Sequence, residues 1–112
     1  MSKNFSKEEF LTFVLIYAAH GDQVVKDSET DYIKSRTGEE MFNNIFEQFN
    51  PKDHVKNFQV LVRHKEKFYP GRSGSNELLT EMEQVFLADE EYHDLEKKLF
   101  ESVRNIFTSI TQ

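Results

Sequence analysis

The sequence predicts an all-α fold, a compact bundle of about six helices with an internal pseudo-twofold repeat of helical hairpins. Apolar residues recur every three to four positions along most of the chain. No run of alternating apolar and polar residues is long enough for a convincing strand. With 112 residues, eleven of them phenylalanine, the chain is large enough to form one domain, residues 1–112, around an aromatic core.

The first helix is predicted over about residues 7–20, and it should be the most buried one. Ser6 and Glu9 have the spacing of a capping box at its start. The apolar residues that follow cover almost the whole circumference, which is typical of a helix surrounded by other helices. Gly21 is expected to end it.

Two shorter helices should follow. The second helix is expected from about Lys26 to Arg36, and Thr37 with Glu40 predicts a capping box for the third. The third helix shows the apolar spacing i, i+3, i+4 and i+7, which predicts a buried stripe. That stripe consists of Phe42, Ile45, Phe46 and Phe49.

Three more helices are predicted in the second half of the chain. Pro51 suits the first position of the fourth helix, and its apolar stripe is Val55, Phe58, Leu61, Val62, Phe68 and Tyr69. The fifth helix should end near Ala88 and bury Leu78, Leu79, Met82, Val85 and Phe86. The last should bury Tyr92, Leu95, Leu99, Val103, Ile106 and Ile110. Between the fourth and fifth helices, the glycines and serines of residues 69–76 predict the most mobile internal loop.

The charge is unevenly distributed along the chain. Its net value of -6 argues against nucleic-acid binding, which depends on basic side chains that neutralise phosphates. Residues 52–72 carry six basic and two acidic side chains, whereas residues 76–101 carry two basic and nine acidic ones. Two solvated faces and a docking surface for a charged partner both fit this pattern. For Arg63, His64 and Lys65 the simpler interpretation is a solvated basic face.

The sequence also predicts a cytoplasmic protein without membrane insertion. The first ten residues, "MSKNFSKEEF", contain acids where a signal peptide has a basic segment followed by an apolar run. The longest apolar run, "FVLIYAA", is much shorter than the roughly 20 residues that cross a bilayer.

Two acidic stretches share one spacing, Asp-x-x-(apolar)-x-Asp-x-Glu. They are "HGDQVVKDSET" and "LADEEYHDLEK", and each covers the link between two predicted helices and the first turn of the second helix. An internal repeat of helical hairpins explains this equivalent placement. The matching pairs are Asp22 with Asp89, Asp27 with Asp94, and Glu29 with Glu96.

These segments, extended to "AHGDQVVKDSETDYI" and "LADEEYHDLEKKLF", resemble the two motifs of TerB-like (tellurite-resistance-associated) domains. Those motifs read Ala-Asp-Gly-x-(apolar)-(polar)-x-x-Glu, although Gln23 and Glu90 replace the family's glycine and Gly21 replaces alanine in the first copy. The resemblance implies a pseudo-symmetric helical bundle with an acidic centre suited to a cation. It also implies a role in tellurite resistance or stress responses without a defined enzymatic activity.

The six acids have two interpretations. Aspartate before a helix and glutamate in its first turn are favourable simply as caps and as charges near the helix dipole. Alternatively, the same acids also bind a divalent cation. Oxygen ligands suit calcium or magnesium, and participation of His93 would favour zinc or manganese. Both acidic stretches lack the ligand positions of an EF-hand loop.

No pattern of an enzyme active site is present. The histidines have no cysteine or serine nucleophile arranged with them, and "PGRSGS" lacks the lysine and spacing of a phosphate loop. His20, near the end of the first helix, is expected to interact with the helix dipole. The prediction is therefore a non-enzymatic protein. The alternative to the cation-binding domain is a protein–protein interaction adaptor that uses the basic helix 52–69 and the loop 69–76.

Overall fold

A computed structural model describes residues 5–20, 27–88, 97–98 and 101–105. These residues form helices and short connections without a strand, so the all-α prediction is confirmed. The helices are α1 (Lys7–Ala19), α2 (Asp27–Thr37), α3 (Glu39–Gln48), α4 (His54–Phe68) and α5 (Gly71–Ala88), and residues 97–98 and 101–105 are also helical. The pseudo-twofold repeat stays a prediction, because most of the second acidic stretch lies outside the described residues.

Helix α1 is the central helix, as predicted. It contacts α2, α3, α4 and α5, and its apolar side chains from Phe10 to Ala19 are buried except for the half-buried Tyr17. The predicted capping box is present: the Ser6 amide donates to Glu9 Oε1 over 2.9 Å, and the Glu9 amide donates to Ser6 Oγ over 3.1 Å. The helix ends at Ala19, and the predicted stop signal Gly21 lies outside the described residues.

The capping box predicted at Thr37 and Glu40 is wrong. Thr37 is the last residue of α2, and its hydroxyl donates back to the Ile33 carbonyl over 2.9 Å. Gly38 is instead the N-cap of α3, without a side-chain cap. Its φ of 98° lies in the left-handed region that glycine adopts without steric cost, so this residue makes the sharp turn between the two helices.

Helix α3 buries three of its four predicted residues. Phe42, Ile45 and Phe49 are buried, but Phe46 is 40% exposed, so that part of the prediction is wrong. Helix α3 contacts α1 and α2, and Phe42 and Ile45 belong to the buried core. Phe46 stacks on Phe42, with ring centroids 5.1 Å apart, and leaves part of its ring in water.

Helix α4 begins three residues later than predicted. Pro51 lies in the preceding turn, and the helix starts at His54 with Asp53 as its N-cap. The Asp53 carboxylate accepts a hydrogen bond from the Lys56 amide over 3.2 Å. Aspartate is a strong N-cap because it satisfies a backbone donor at the helix start, whereas proline at this point offers only a suitable φ.

The inward face of α4 differs from the predicted apolar stripe. Leu61 and Tyr69 are buried as expected, but Val55 is 70% exposed and Phe58 is 42% exposed. Two polar residues, Asn57 and His64, are buried with Leu61, and so is Lys65. The predicted solvated basic face is therefore wrong for two of its three members.

Hydrogen bonds explain why these polar side chains are inside. Asn57 Nδ2 donates to the Asn50 carbonyl, and His64 Nδ1 lies 2.9 Å from the Val60 carbonyl oxygen. The His64 ring also packs on three aromatic rings, with centroid distances of 5.2–6.2 Å to Phe5, Phe10 and Phe68. A polar group that keeps its hydrogen bonds can be buried at little cost, and hydropathy spacing does not report this.

The mobile loop predicted at residues 69–76 is also wrong. Helix α5 begins at Gly71, and Gly74 and Ser75 are buried. A Cβ atom at Gly74 would lie 2.2 Å from the Tyr69 carbonyl carbon. The glycines therefore permit a tight turn between α4 and α5, with Gly71 at a φ of 72°.

The fifth helix agrees with the prediction. It ends at Ala88, and its five predicted core residues are buried. Of the stripe predicted for the last helix, Val103 is buried and the other five residues lie outside the described part of the chain. None of the helices in that described part is long and apolar enough to cross a membrane.

Candidate functional site

The sequence places the candidate site at the starts of two helices, one of which is α2. Asp27 and Glu29 lie in the first turn of α2. The other four predicted cation ligands, Asp22, Asp89, Asp94 and Glu96, lie outside the described residues, as does His93. Whether the two acidic links approach each other therefore stays a prediction.

Asp27 is the first residue of α2, and its side chain is exposed to water. Its backbone carbonyl accepts a hydrogen bond from the Thr30 hydroxyl over 3.0 Å. A solvated carboxylate at a helix N-terminus is stabilised by the exposed N–H groups and the helix dipole. Helix formation is therefore sufficient to explain an acid at this position.

Glu29 has a different environment from Asp27. Its side chain is 0% exposed, and Ile33, one turn further along α2, is fully buried on the same side. Helix α2 packs against α1, α3 and α5, so this side faces the interior of the bundle. Removing an ionised carboxylate from water costs several kcal/mol unless charges or hydrogen bonds compensate for it.

The two described acids do not form a site by themselves. Residues two positions apart on a helix do not face each other, and Asp27 is exposed whereas Glu29 is buried. Within the described ranges, no group of three or more His, Asp or Glu side chains is arranged to hold a metal ion. A cation at Glu29 would need further ligands from the acidic links.

A cleft of about 420 Å³, which the sequence did not indicate, lies where α1, α2 and the start of α5 meet. Its lining residues are Lys7, Glu8, Leu11, Arg36, Thr37, Tyr69 and Glu77. Beside it, the Arg36 guanidinium donates to both carboxylate oxygens of Glu81, from Nε over 3.2 Å and from a terminal nitrogen. On the other side, Lys7 Nζ lies 4.8 Å from the centroid of the Tyr69 ring.

The charges around this cleft largely compensate each other. The hydrogen bond to Glu81 raises the pKa of Arg36, and burial, followed by the nearby Glu77 and Glu81, raises the pKa of Tyr69. The phenol is therefore neutral at physiological pH. Arg36 and Glu81 are 45 residues apart, so no local spacing in the sequence could have indicated their pairing.

A second cleft, of about 410 Å³, is lined by His20, Pro51, Lys52 and His54. His20 is the C-cap of α1, which is the position that an interaction with the helix dipole requires. Its Nδ1 lies 2.9 Å from the Ile16 carbonyl oxygen. Because a carbonyl only accepts hydrogen bonds, Nδ1 carries the hydrogen, and Nε2 is an acceptor when the ring is neutral. The lining residues are basic or neutral, unlike the acids at the start of α2.

No protein-family profile, curated protein or solved structure matches this chain. The described structure defines a small all-α domain with one buried carboxylate at a helix start. Its relation to TerB-like domains remains a hypothesis that depends on the two motif segments.

Proposed function

We propose that the protein is a non-enzymatic, TerB-like helical domain that binds a divalent cation through its duplicated acidic motif and acts in a stress or tellurite response. The residues assigned to the cation are Asp22, Asp27, Glu29, Asp89, Asp94 and Glu96. The main structural support is the complete burial of Glu29 at the start of α2.

Helix capping favours an acid at this position but does not require that the acid be buried. An acid near a helix N-terminus gains about 0.3–1 kcal/mol while it stays in water. In the interior, the interaction of this carboxylate with a nearby charge is stronger than it would be in water. A divalent cation bound at the acidic links would therefore interact strongly with Glu29 and would also neutralise the neighbouring acids of the links. Asp27, which is exposed, fits either interpretation.

The ligand types favour a hard cation. Six carboxylates supply only oxygen atoms, which calcium and magnesium prefer. His93 belongs to the second acidic stretch, and an imidazole ligand from it would shift the preference toward zinc or manganese. Titrations with all four ions therefore identify the preferred ion and test whether His93 takes part.

The test is thermal unfolding of the full chain, first treated with a chelator and then titrated with each ion. Binding to the folded state should add about 2.7 kcal/mol to the free energy of unfolding at a hundredfold excess over the dissociation constant. Asp22→Asn and Asp89→Asn should each remove most of this gain. The matched control is Asp31→Asn, an exposed acid of α2 that is not one of the six assigned ligands, and this variant should keep the gain.

Two results would contradict the proposal. One is a melting temperature that is indifferent to calcium, magnesium, manganese and zinc. The other is strict additivity of Asp22→Asn and Asp89→Asn, because ligands of one ion are energetically coupled and independent caps are not.

In the alternative proposal, an interaction adaptor, the binding surface is smaller than the one predicted from the sequence. Residues 71–76 belong to helix α5, so a flexible binding loop is not part of it. The remaining element is α4, which exposes Val55 and Phe58 beside several basic side chains. This exposure is the observation that supports an adaptor as the second candidate function.

A further inference from the structure

The outward side of α4 carries a stripe of apolar side chains that are not buried in the core. Val55 is 70% exposed and Phe58 is 42% exposed, and Val62 is partly exposed. These residues are separated by three and four positions, so they lie along one side of the helix. The helix packs inward, against α1 and α5, through a different side that includes Leu61.

A basic stripe runs next to the apolar one. Lys56, Arg63 and Lys67 are exposed, and their separations of seven and four residues place them on one side of α4. Arg63 follows Gln59 and Val55 at intervals of four residues, which makes the two stripes neighbours. The outward surface of α4 is therefore apolar along one edge and cationic along the other.

The acid within α4 does not neutralise this surface. Glu66 is the only acidic residue of the helix. Its Oε1 accepts a hydrogen bond from Lys65 Nζ over 2.9 Å, and its Oε2 accepts one from the Gly71 amide over 3.2 Å. Both oxygens are thus engaged at the α4–α5 turn, while Lys56 and Arg63 keep their charge toward water.

We propose that this face of α4 binds an acidic amphipathic helix of a partner protein. Apolar residues of that helix would cover Val55 and Phe58, and its carboxylates would pair with Lys56 and Arg63. The stripes extend from residue 55 to residue 67, about 18 Å along the helix axis, which matches three to four turns of a partner helix. Helices recognised in this way present anchors at i, i+3, i+4 and i+7.

Charge complementarity decides the kind of partner. The exposed cations along one edge favour a partner that carries carboxylates, and the exposed valine and phenylalanine along the other edge favour one with an apolar stripe. The net charge of -6 for the whole chain disfavours nucleic acid. This inference depends on the adaptor as the second candidate function and is independent of cation binding.

The experiment uses the full chain and a labelled synthetic peptide of about 18 residues. The peptide has leucine at i, i+3, i+4 and i+7 of each repeat and glutamate at most other positions, and a scrambled peptide of the same composition is the control. Fluorescence anisotropy should show at least about tenfold tighter binding of the patterned peptide, since only it presents one apolar face. The affinity should fall as the salt concentration rises.

Substitutions then locate the contact. Phe58→Gln should weaken binding at least about tenfold, as expected for a central aromatic anchor, and Val55→Gln should act in the same direction. Arg63→Glu should weaken binding and reduce its salt dependence. Leu87→Gln is the matched control, because Leu87 is a 55% exposed apolar residue on α5, and the affinity should not change. Circular dichroism checks that each variant is folded. If Phe58→Gln does not fold, Val55→Gln is the variant that tests the contact, because Val55 is strongly exposed.

Several outcomes would overturn the proposal. Equal binding of the scrambled peptide, or binding that is insensitive to Phe58→Gln and Val55→Gln, would exclude a patterned contact on α4. Self-association of the wild type that Phe58→Gln abolishes, without peptide binding, would assign the face to a second copy of the chain. Binding to phosphatidylserine vesicles but not to the peptide would assign it to a membrane surface. If no probe binds and the protein stays monomeric, the adaptor function itself fails along with the proposed partner.

Discussion

Lys65 Nζ donates a hydrogen bond to the carbonyl oxygen of Gly71 over 3.0 Å, and the lysine side chain is completely buried. The same ammonium group contacts Glu66, whose other oxygen accepts from the Gly71 amide. The Ser75 hydroxyl also donates to the Gly71 carbonyl. Both backbone polar groups of Gly71 are therefore bound by side chains, which fixes the turn between α4 and α5.

Replacement of Lys65 should destabilise the fold. Lys65→Ala removes a charge-assisted hydrogen bond, worth about 1.5–3 kcal/mol, and leaves a cavity. The free energy of unfolding, measured by urea denaturation, should fall by at least about 2 kcal/mol. Lys67→Ala, at an exposed position two residues further on, should change it by no more than about 0.5 kcal/mol. Equal effects of the two substitutions would mean that the basic segment is a solvated face after all.

A methyl group at Gly74 should also be destabilising. Glycine to alanine inside a helix normally gains up to about 1 kcal/mol because alanine has the higher helix propensity. At Gly74 the added Cβ would lie 2.2 Å from the Tyr69 carbonyl carbon, which is backbone and cannot move away cheaply. We expect Gly74→Ala to lower the free energy of unfolding by more than about 2 kcal/mol. The control is Ser73→Ala, because Ser73 is an exposed residue of the same turn. If Gly74→Ala stabilised the protein, the end of α4 and the start of α5 would not be in close contact.

Stability should decrease in acid partly through Glu66. Hydrogen bonds from Lys65 and from the Gly71 amide hold the pKa of Glu66 below its ordinary value. A carboxyl whose pKa is lower in the folded state stabilises that state above the unfolded pKa of roughly 4.3, and this contribution is lost as pH falls through the folded pKa. The difference in free energy of unfolding between wild type and Glu66→Gln should therefore shrink below about pH 4. Glu47→Gln, at an exposed acid of α3, is the control for the loss of one surface charge. A difference that is constant from pH 7 to pH 3 would disprove the linkage.

The predictions from sequence succeeded where apolar spacing alone decides the structure. In α1 the apolar residues leave no face fit for water, and in α5 one stripe accounts for the buried side. They failed in α4, where Asn57, His64 and Lys65 are inside because each has hydrogen-bond partners. The partner of Asn57 lies in the preceding turn, that of His64 one turn back in α4, and that of Lys65 at the start of α5. Apolar spacing reports none of these hydrogen bonds. The prediction of a mobile loop at residues 69–76 failed for a similar reason. Glycine content alone does not distinguish a mobile loop from a tightly packed turn, and Gly71 and Gly74 form the latter.

The candidate site was predicted only in part, because spacing does not reveal burial. Asp27 and Glu29 stand two positions apart in the same motif and look alike as first-turn acids. The structure separates them, with one in water and the other in the interior. Packing of α2 against three other helices produces this difference. The Arg36–Glu81 pair was missed for the same kind of reason, since its partners meet only in the folded bundle.

The buried carboxylate gives the sharpest test of cation binding. In the cation proposal, Glu29→Gln removes one ligand and one buried negative charge. Without metal, the difference in free energy of unfolding between the two proteins reports only the contacts that Glu29 makes within the protein. With metal at a hundredfold excess over the wild-type dissociation constant, the wild type should gain about 2.7 kcal/mol and the variant less than about 1 kcal/mol, so that this difference shifts in favour of the wild type. A purely structural Glu29 predicts the same loss with and without metal, and thermal unfolding of both proteins in chelator and in each ion distinguishes the two cases.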